Sequence, residues 1–250
     1  MFVRNAVRSS ATSPLHRSLS FSPKGAGTVT AHRSTRDRPA KPPLSEDAVV
    51  DTALEILKSD GLGAVTMRRV ATALDTGPAS LYVYVAGRDG LFQAMLERIF
   101  ASVALEDPDP PRWRAQLHAL LLRMRRALLA HPGIAGTAIA EPPRTDASFR
   151  LLENMLAILI AGGLAPQDAA WATDIFSMVV SYAAIEADVR GTDHQELAGK
   201  LYETFSGLSP DRFPLVTAHA AQLVAGDADE RFRVTVDVFI DGLLARAARP

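Results

Sequence analysis

The segment from Thr66 to Phe92, TMRRVATALDTGPASLYVYVAGRDGLF, restricts what this chain can be more than any other stretch. Two short helical patterns are split by the turn Asp75-Thr76-Gly77. An aromatic pair, a basic residue and the start of a further helix follow. Thr66 stands before the first pattern as an N-cap, whose side-chain oxygen accepts from the free amides of the first turn. Pro78 falls in the first turn of the second pattern, where a missing N–H costs nothing. Val70, Ala73, Leu74 and Leu81 have the spacing to form a small core between the two helices, and Ala71 is small where they approach. Paired in this way, the helices present only the second to a nucleic-acid groove.

The exposed side of that second helix is expected to carry Ser80, Tyr82 and Tyr84, with Arg88 in the loop beyond. Hydroxyl groups can hydrogen-bond phosphates or base edges, and a guanidinium can hold a phosphate. Arg68 and Arg69 lie in the first turn before the core, where the amide ends also attract phosphate. Charge makes these arginines important. Residues 1–43 hold eight Lys or Arg against one acid, about +7, so the remainder of a chain with net charge −1 carries roughly −8. An acidic body that binds DNA must gather positive charge on one face, and Arg68, Arg69 and Arg88 supply it.

Upstream, Ser45 reads as the N-cap of a helix with Val49, Ala53 and Ile56 at i, i+4, i+7, flanked by Val50, Leu54 and Leu57 and ended by Gly61. Downstream, Leu91, Met95, Leu96 and Ile99 mark another helix from near Asp89. From Ser45 to Val103 the chain resembles the DNA-binding domain of the TetR (tetracycline-repressor-like) family of transcriptional regulators. Leu81-Tyr82-Val83-Tyr84-Val85 and Arg88-Asp89-Gly90-Leu91 match that family's LYxHF or LYWHV element and the basic residue after it. The resemblance implies that Tyr82 and Arg88 clasp the DNA backbone, with Ser80 and Tyr84 nearer the bases. Two departures stand out. Tyr84 replaces the more usual His, and Asp75 stands where the turn often has Gly. Asp tolerates the left-handed geometry at some cost. The second helix also lacks Arg, Lys, Asn and Gln, the residues suited to bidentate base readout. Sequence preference then leans on Arg68, Thr76, a T-methyl contact by Ala79, and DNA shape.

The domain plan is a basic arm over 1–43, too poor in apolar groups to offset its ordering entropy, a DNA-binding domain over 44–104, and a helical domain over 105–250. The arm's Arg- and Ser-rich, acid-poor character also suits a transit peptide. Asp107-Pro108-Asp109-Pro110-Pro111 marks the boundary. Beyond it the periodicity predicts helices at about 112–130, 134–140, 146–162, 166–190, 194–206, 213–224 and 228–247. The fold class is therefore all-α. The absence of cysteine excludes disulfides and thiolate metal sites and makes a reducing cytoplasm the expected location. The apolar stretches are too short for a membrane span.

Helix-rich architecture, the His131-Pro132 break and the Gly226-Asp227 segment before a long last helix are similar to the tetracycline-repressor-type regulatory domain. That likeness implies a helical effector pocket and a homodimer built from two helices per subunit, here about 166–190 and 228–247. Candidate pocket walls are Trp113, Leu117, Met124, Phe149, Met155, Trp171, Ile175, Met178 and Tyr182, apolar bodies with a few polar tips. Ordinary core packing is the alternative for each. Phe232, Val236, Phe239 and Leu243 form an apolar stripe that is the candidate dimer interface, widened by Val234 and Val238. The same stripe could instead pack inside its own subunit. His118 and His131 lack a second ligand at metal spacing, so no metal and no cofactor are expected.

These features imply a ligand-responsive transcriptional regulator, a repressor that leaves a palindromic operator when a small hydrophobic effector binds. A helical dimeric adaptor or small-molecule binder without specific DNA binding is the alternative. Catalytic motifs such as GxSxG or HExxH are missing, and no enzyme is expected.

Overall fold

The computed structural model describes residues 43–140, 144–190 and 194–247. The basic arm, save its last residue, lies outside the described residues. Among the described residues every regular element is helical: α1 (Glu46–Asp60), α2 (Met67–Ala73), α3 (Pro78–Leu81), α4 (Gly87–Ala101), α5 (Trp113–Leu129), α6 (Ala135–Ala140), α7 (Asp146–Ala161), α8 (Pro166–Arg190), α9 (His194–Ser206), α10 (Pro214–Ala218), α11 (Ala220–Val224) and α12 (Ala228–Ala247). The expected fourth helix begins two residues early, and the helix expected over 213–224 is two short helices broken at His219.

Local chemistry sets several boundaries. The Ser45 side chain accepts from the amide of Ala48, Glu46 and Asp47 complement the positive end of α1, and Gly61 closes it with φ 79°. Val49, Val50, Ala53, Ile56 and Leu57 are all buried, as their spacing predicts. Thr145 caps α7 through the amide of Ser148.

The interior is continuous from end to end. Val49, Leu57, Val70 and Leu81 meet Leu91, Met95 and Ile99 of α4, and these join Leu117, Leu120, Leu121, Ile158 and Phe176 in one apolar core. Helix α4 therefore belongs to both halves: it packs on α1 and also on α5 and α7. Buried Gln116 ties the Pro-rich connection in place. Its carbonyl oxygen accepts from the Asp109 amide at 2.7 Å and its NH2 donates to the Asp107 carbonyl at 2.8 Å. Gly162 permits a close approach elsewhere, because a Cβ there would lie 2.3 Å from the Trp113 ring. No helix among the described residues is long and apolar enough to cross a membrane.

Candidate nucleic-acid interface and effector cavity

Helices α2 and α3 cross over a minimal core. Val70, Ala71 and Leu81 are buried, whereas Leu74 is half-buried and Ala73 exposed. Ala73 thus does not join the core as its spacing suggested, whereas Ala71, small where the two helices approach, is buried. The turn forms as the sequence requires. Asp75 adopts φ 50°, and the Thr76 amide reaches back to the Ala71 carbonyl at 2.9 Å, which closes the end of α2. Only after this left-handed residue can the chain reverse and start α3 at Pro78.

The outer side of the pair carries most of the anticipated groups. Thr66 accepts from the Arg69 amide at 3.1 Å as the N-cap of α2 and remains exposed, as do Arg68, Arg69 and Ser80. Arg69 pairs with Asp60, a surface contact that a phosphate could replace. Tyr82 is 61% exposed. Its ring lies beside Gly87, whose φ of 73° lets the chain turn into α4. Arg88 sits in the first turn of α4, exposed, with its guanidinium 4.9 Å above the Phe92 ring. Thr76 is half-buried in the turn.

Tyr84 departs from the expectation. It is not on the exposed side. Its ring packs against the core and its hydroxyl donates to the Leu44 carbonyl at 2.7 Å. The reason is the tight turn that follows α3: the Tyr84 and Val85 amides both reach back to the Leu81 carbonyl, at 2.9 and 3.0 Å, and this carries Tyr84 back towards α1. Tyr84 braces the residues that lead into α1, and the outward aromatic is Tyr82.

The second site is a cavity of about 120 Å³ walled by α4, α5, α6, α7 and α8. Of the anticipated pocket walls, Met124 and Met155 line it. The others lie elsewhere. Leu117 is fully buried in the core, and Trp113 is spent on Gly162. Phe149 is exposed along a shallow groove beside Glu106 and Asn154. Trp171 is exposed beneath Arg246, and Ile175 is half-buried away from the cavity. Met178 and Tyr182 face a wider open groove of about 760 Å³ between α8, α9, α11 and α12. The physical reason is common to these misplacements: a long helix such as α8 has apolar residues all round, so sequence alone does not say which side closes over the cavity. Gln93, Leu96 and Phe100, one side of α4, complete the wall and were missed. Their i, i+3, i+7 spacing was visible; that it faced a cavity was not.

On α12, Phe232 and Val236 are buried within the subunit together with Ile240, and Leu243 is half-buried against the same core. The proposed dimer stripe is therefore largely internal, and only Phe239 reaches the surface while meeting Phe176 edge-on at 6.5 Å. Outward of it stand Val234 and Val238, 56% and 65% exposed. Trp171, Met178, Tyr182 and Val189 on α8 are exposed as well. His118 bonds Asp237 of α12 at 2.9 Å, and the His131 ring meets the Ala127 carbonyl at 2.9 Å.

Comparison with known proteins agrees with this geometry. A family profile described as "Bacterial regulatory proteins, tetR family" matches residues 49–95, and "Tetracyclin repressor-like, C-terminal domain" matches residues 107–247. An HTH-type transcriptional regulator of Saccharopolyspora erythraea is 29% identical over 73% of this chain and 77% of its own length. The class C tetracycline repressor protein of Escherichia coli is 28% identical over 80% of this chain and 90% of its own. The fold is similar to that of the TetR family protein ActR of Streptomyces coelicolor in complex with actinorhodin: TM-score 0.77, 34% identity, 83% of this chain and all (100%) of that one. The match over α1 to α4 sets aside an adaptor without DNA. The chain belongs to the TetR family of transcriptional regulators, ligand-responsive DNA-binding proteins rather than enzymes.

Proposed function

We propose that the protein is a repressor whose homodimer holds a two-fold operator and releases it when a small, largely apolar effector occupies the cavity beside α4. One observation carries this reading. The helix that walls the cavity through Gln93, Leu96 and Phe100 also bears Arg88 at its start and packs on α1. An effector that prefers the α4 position of the released state therefore moves the recognition helix. A thousandfold preference corresponds to about 4 kcal/mol, and equal affinity for both states does nothing. That ActR is known with actinorhodin bound supports a small-molecule effector of this general kind.

In this reading Arg68, Arg69 and Arg88 meet phosphates, Thr66 and Tyr82 fix the register, and Ser80 with Thr76 approaches the bases. The dimer forms through α8 and α12, with Trp171, Met178, Tyr182, Val234, Val238 and Phe239 covered by the partner. Two recognition helices can then reach half-sites about one helical turn apart.

Titration against DNA from the gene's own upstream region tests this. A symmetric footprint is expected, and Arg88→Ala or Tyr82→Ala lowers DNA affinity while dimerisation and thermal stability persist. Each lost phosphate contact reduces the salt slope by about one. Variants that bind DNA like the parent would remove α3 and its flanks from the interface.

A further inference from the structure

Within the cavity one buried amide stands out. The side-chain NH2 of Gln93 is buried and has no hydrogen-bond partner among the described residues. Most of the remaining lining is hydrocarbon or thioether, from residues such as Leu96, Phe100, Met124, Leu151 and Met155. The other polar members are serines: Ser177 donates to the Thr173 carbonyl at 2.7 Å, Ser148 bonds Thr145 at 2.8 Å, and buried Ser181 adds one small hydroxyl that can donate or accept. Among the described residues no Lys, Arg, His, Asp or Glu lines the cavity. A charged ligand would find no counter-ion there, and desolvating it would cost far more than the cavity returns.

From this we infer that the cavity selects a neutral, largely apolar molecule bearing a carbonyl-type acceptor, which takes the hydrogen bond that Gln93 has free. The inference rests on the effector reading of this cavity and adds the ligand's chemical class and the residue that reads it. A buried donor without a partner is the costly case, so a ligand that supplies the acceptor gains more than one hydrogen bond exchanged with water would. Gln93 lies on α4, seven residues before Phe100, where that helix's part of the lining ends, and five after Arg88. The polar contact thus falls on the helix that must move. Hydrocarbon contact alone can fill the cavity; the amide makes occupancy depend on the ligand's functional group and pulls on α4 directly. Specificity of this type is strong because a ligand without the acceptor leaves the buried donor unpaired.

The test uses the full chain and two probes that differ by one carbonyl, 1-indanone and indane, with binding followed by titration calorimetry. The ketone is expected to bind the parent protein about tenfold more tightly than the hydrocarbon. Gln93→Met, which keeps side-chain length and removes the donor, is expected to erase that preference and to leave indane bound at least as well; Gln93→Leu checks the same point with a second shape. Both variants should be as heat-stable as the parent or more so, because an unpaired buried amide has been removed, whereas a merely structural glutamine would be missed on heating. Equal binding of ketone and hydrocarbon by the parent would overturn the inference, as would a preference that survives in Gln93→Met, and either would leave the cavity as a ligand site. Saturable binding of neither probe would overturn the effector reading of the cavity itself.

Discussion

Glu97 and Arg98 are neighbours on α4 and are fastened to opposite parts of the chain. Glu97 accepts from the Ala147 amide at 2.9 Å in the first turn of α7, and Arg98 donates to Asp47 and Asp51 of α1. Successive residues of a helix point about 100° apart, so a single turn of α4 can grip both sides. A shift of this helix must strain one grip or the other. That is the physical content of calling it a lever.

The two grips differ in strength. Glu97 gives a charge-assisted bond to a partly buried helix N-terminus, so Glu97→Ala should cost about 1–2 kcal/mol in denaturant unfolding. Arg98 reaches exposed carboxylates, Asp47 being 82% exposed, and Arg98→Ala should cost less than about 1 kcal/mol. The opposite order would show that α4 is anchored mainly to the DNA-binding half.

Tyr84→Phe isolates the brace to Leu44. Loss of that bond should lower stability by about 0.5–1.5 kcal/mol, because the Leu44 carbonyl loses its donor. Operator affinity should change little. A variant with unchanged stability and weakened DNA binding would place the hydroxyl on DNA instead.

Val236 and Val238 lie two residues apart and face opposite ways. Val236→Ala should destabilise the fold by about 1–2 kcal/mol through lost burial and a cavity. Val238→Glu should leave the subunit folded and shift the protein towards monomer in sedimentation analysis. Persistence of the dimer in Val238→Glu would move the interface away from α12.

Glu106 gives the clearest acid dependence. The Arg123 side chain, bonded at 2.7 Å, holds the Glu106 carboxyl below the usual carboxylate range, and Gln116 and Arg112 act in the same sense. Its folded pKa lies below its unfolded one, so its contribution is complete above the ordinary carboxylate range and is lost as pH falls through the lower folded value. The difference in melting temperature between the parent and Glu106→Gln should be constant near neutrality and shrink towards zero in acid. A difference that grew on acidification would reverse the sign and remove the pair as its cause.

Much of the fold was legible because its signals are local. Ser45 and Thr66 are caps, Gly61 and Asp75 are left-handed stops, and Pro78 starts a helix; each acts within a few residues of itself. The periodicity of Val49, Ala53 and Ile56 likewise shows a buried side without revealing what covers it. These local rules determined an all-helical chain and the motif that points its second helix outward. Tertiary packing decided the rest. The turn after α3 settled that Tyr84 turns inward and Tyr82 outward, although the LYVYV sequence treats the two alike. The same packing gave the inner side of α12 to Phe232 and Val236 and left Val238 outside, and it put Trp113 on Gly162 but Met124 and Met155 on the cavity. Gln93 reads as one polar residue among several on an amphipathic helix until Leu96, Phe100 and four other helices gather around it. Burial is a property of neighbours distant in sequence, and a periodic pattern fixes a side of a helix but not the partner it meets.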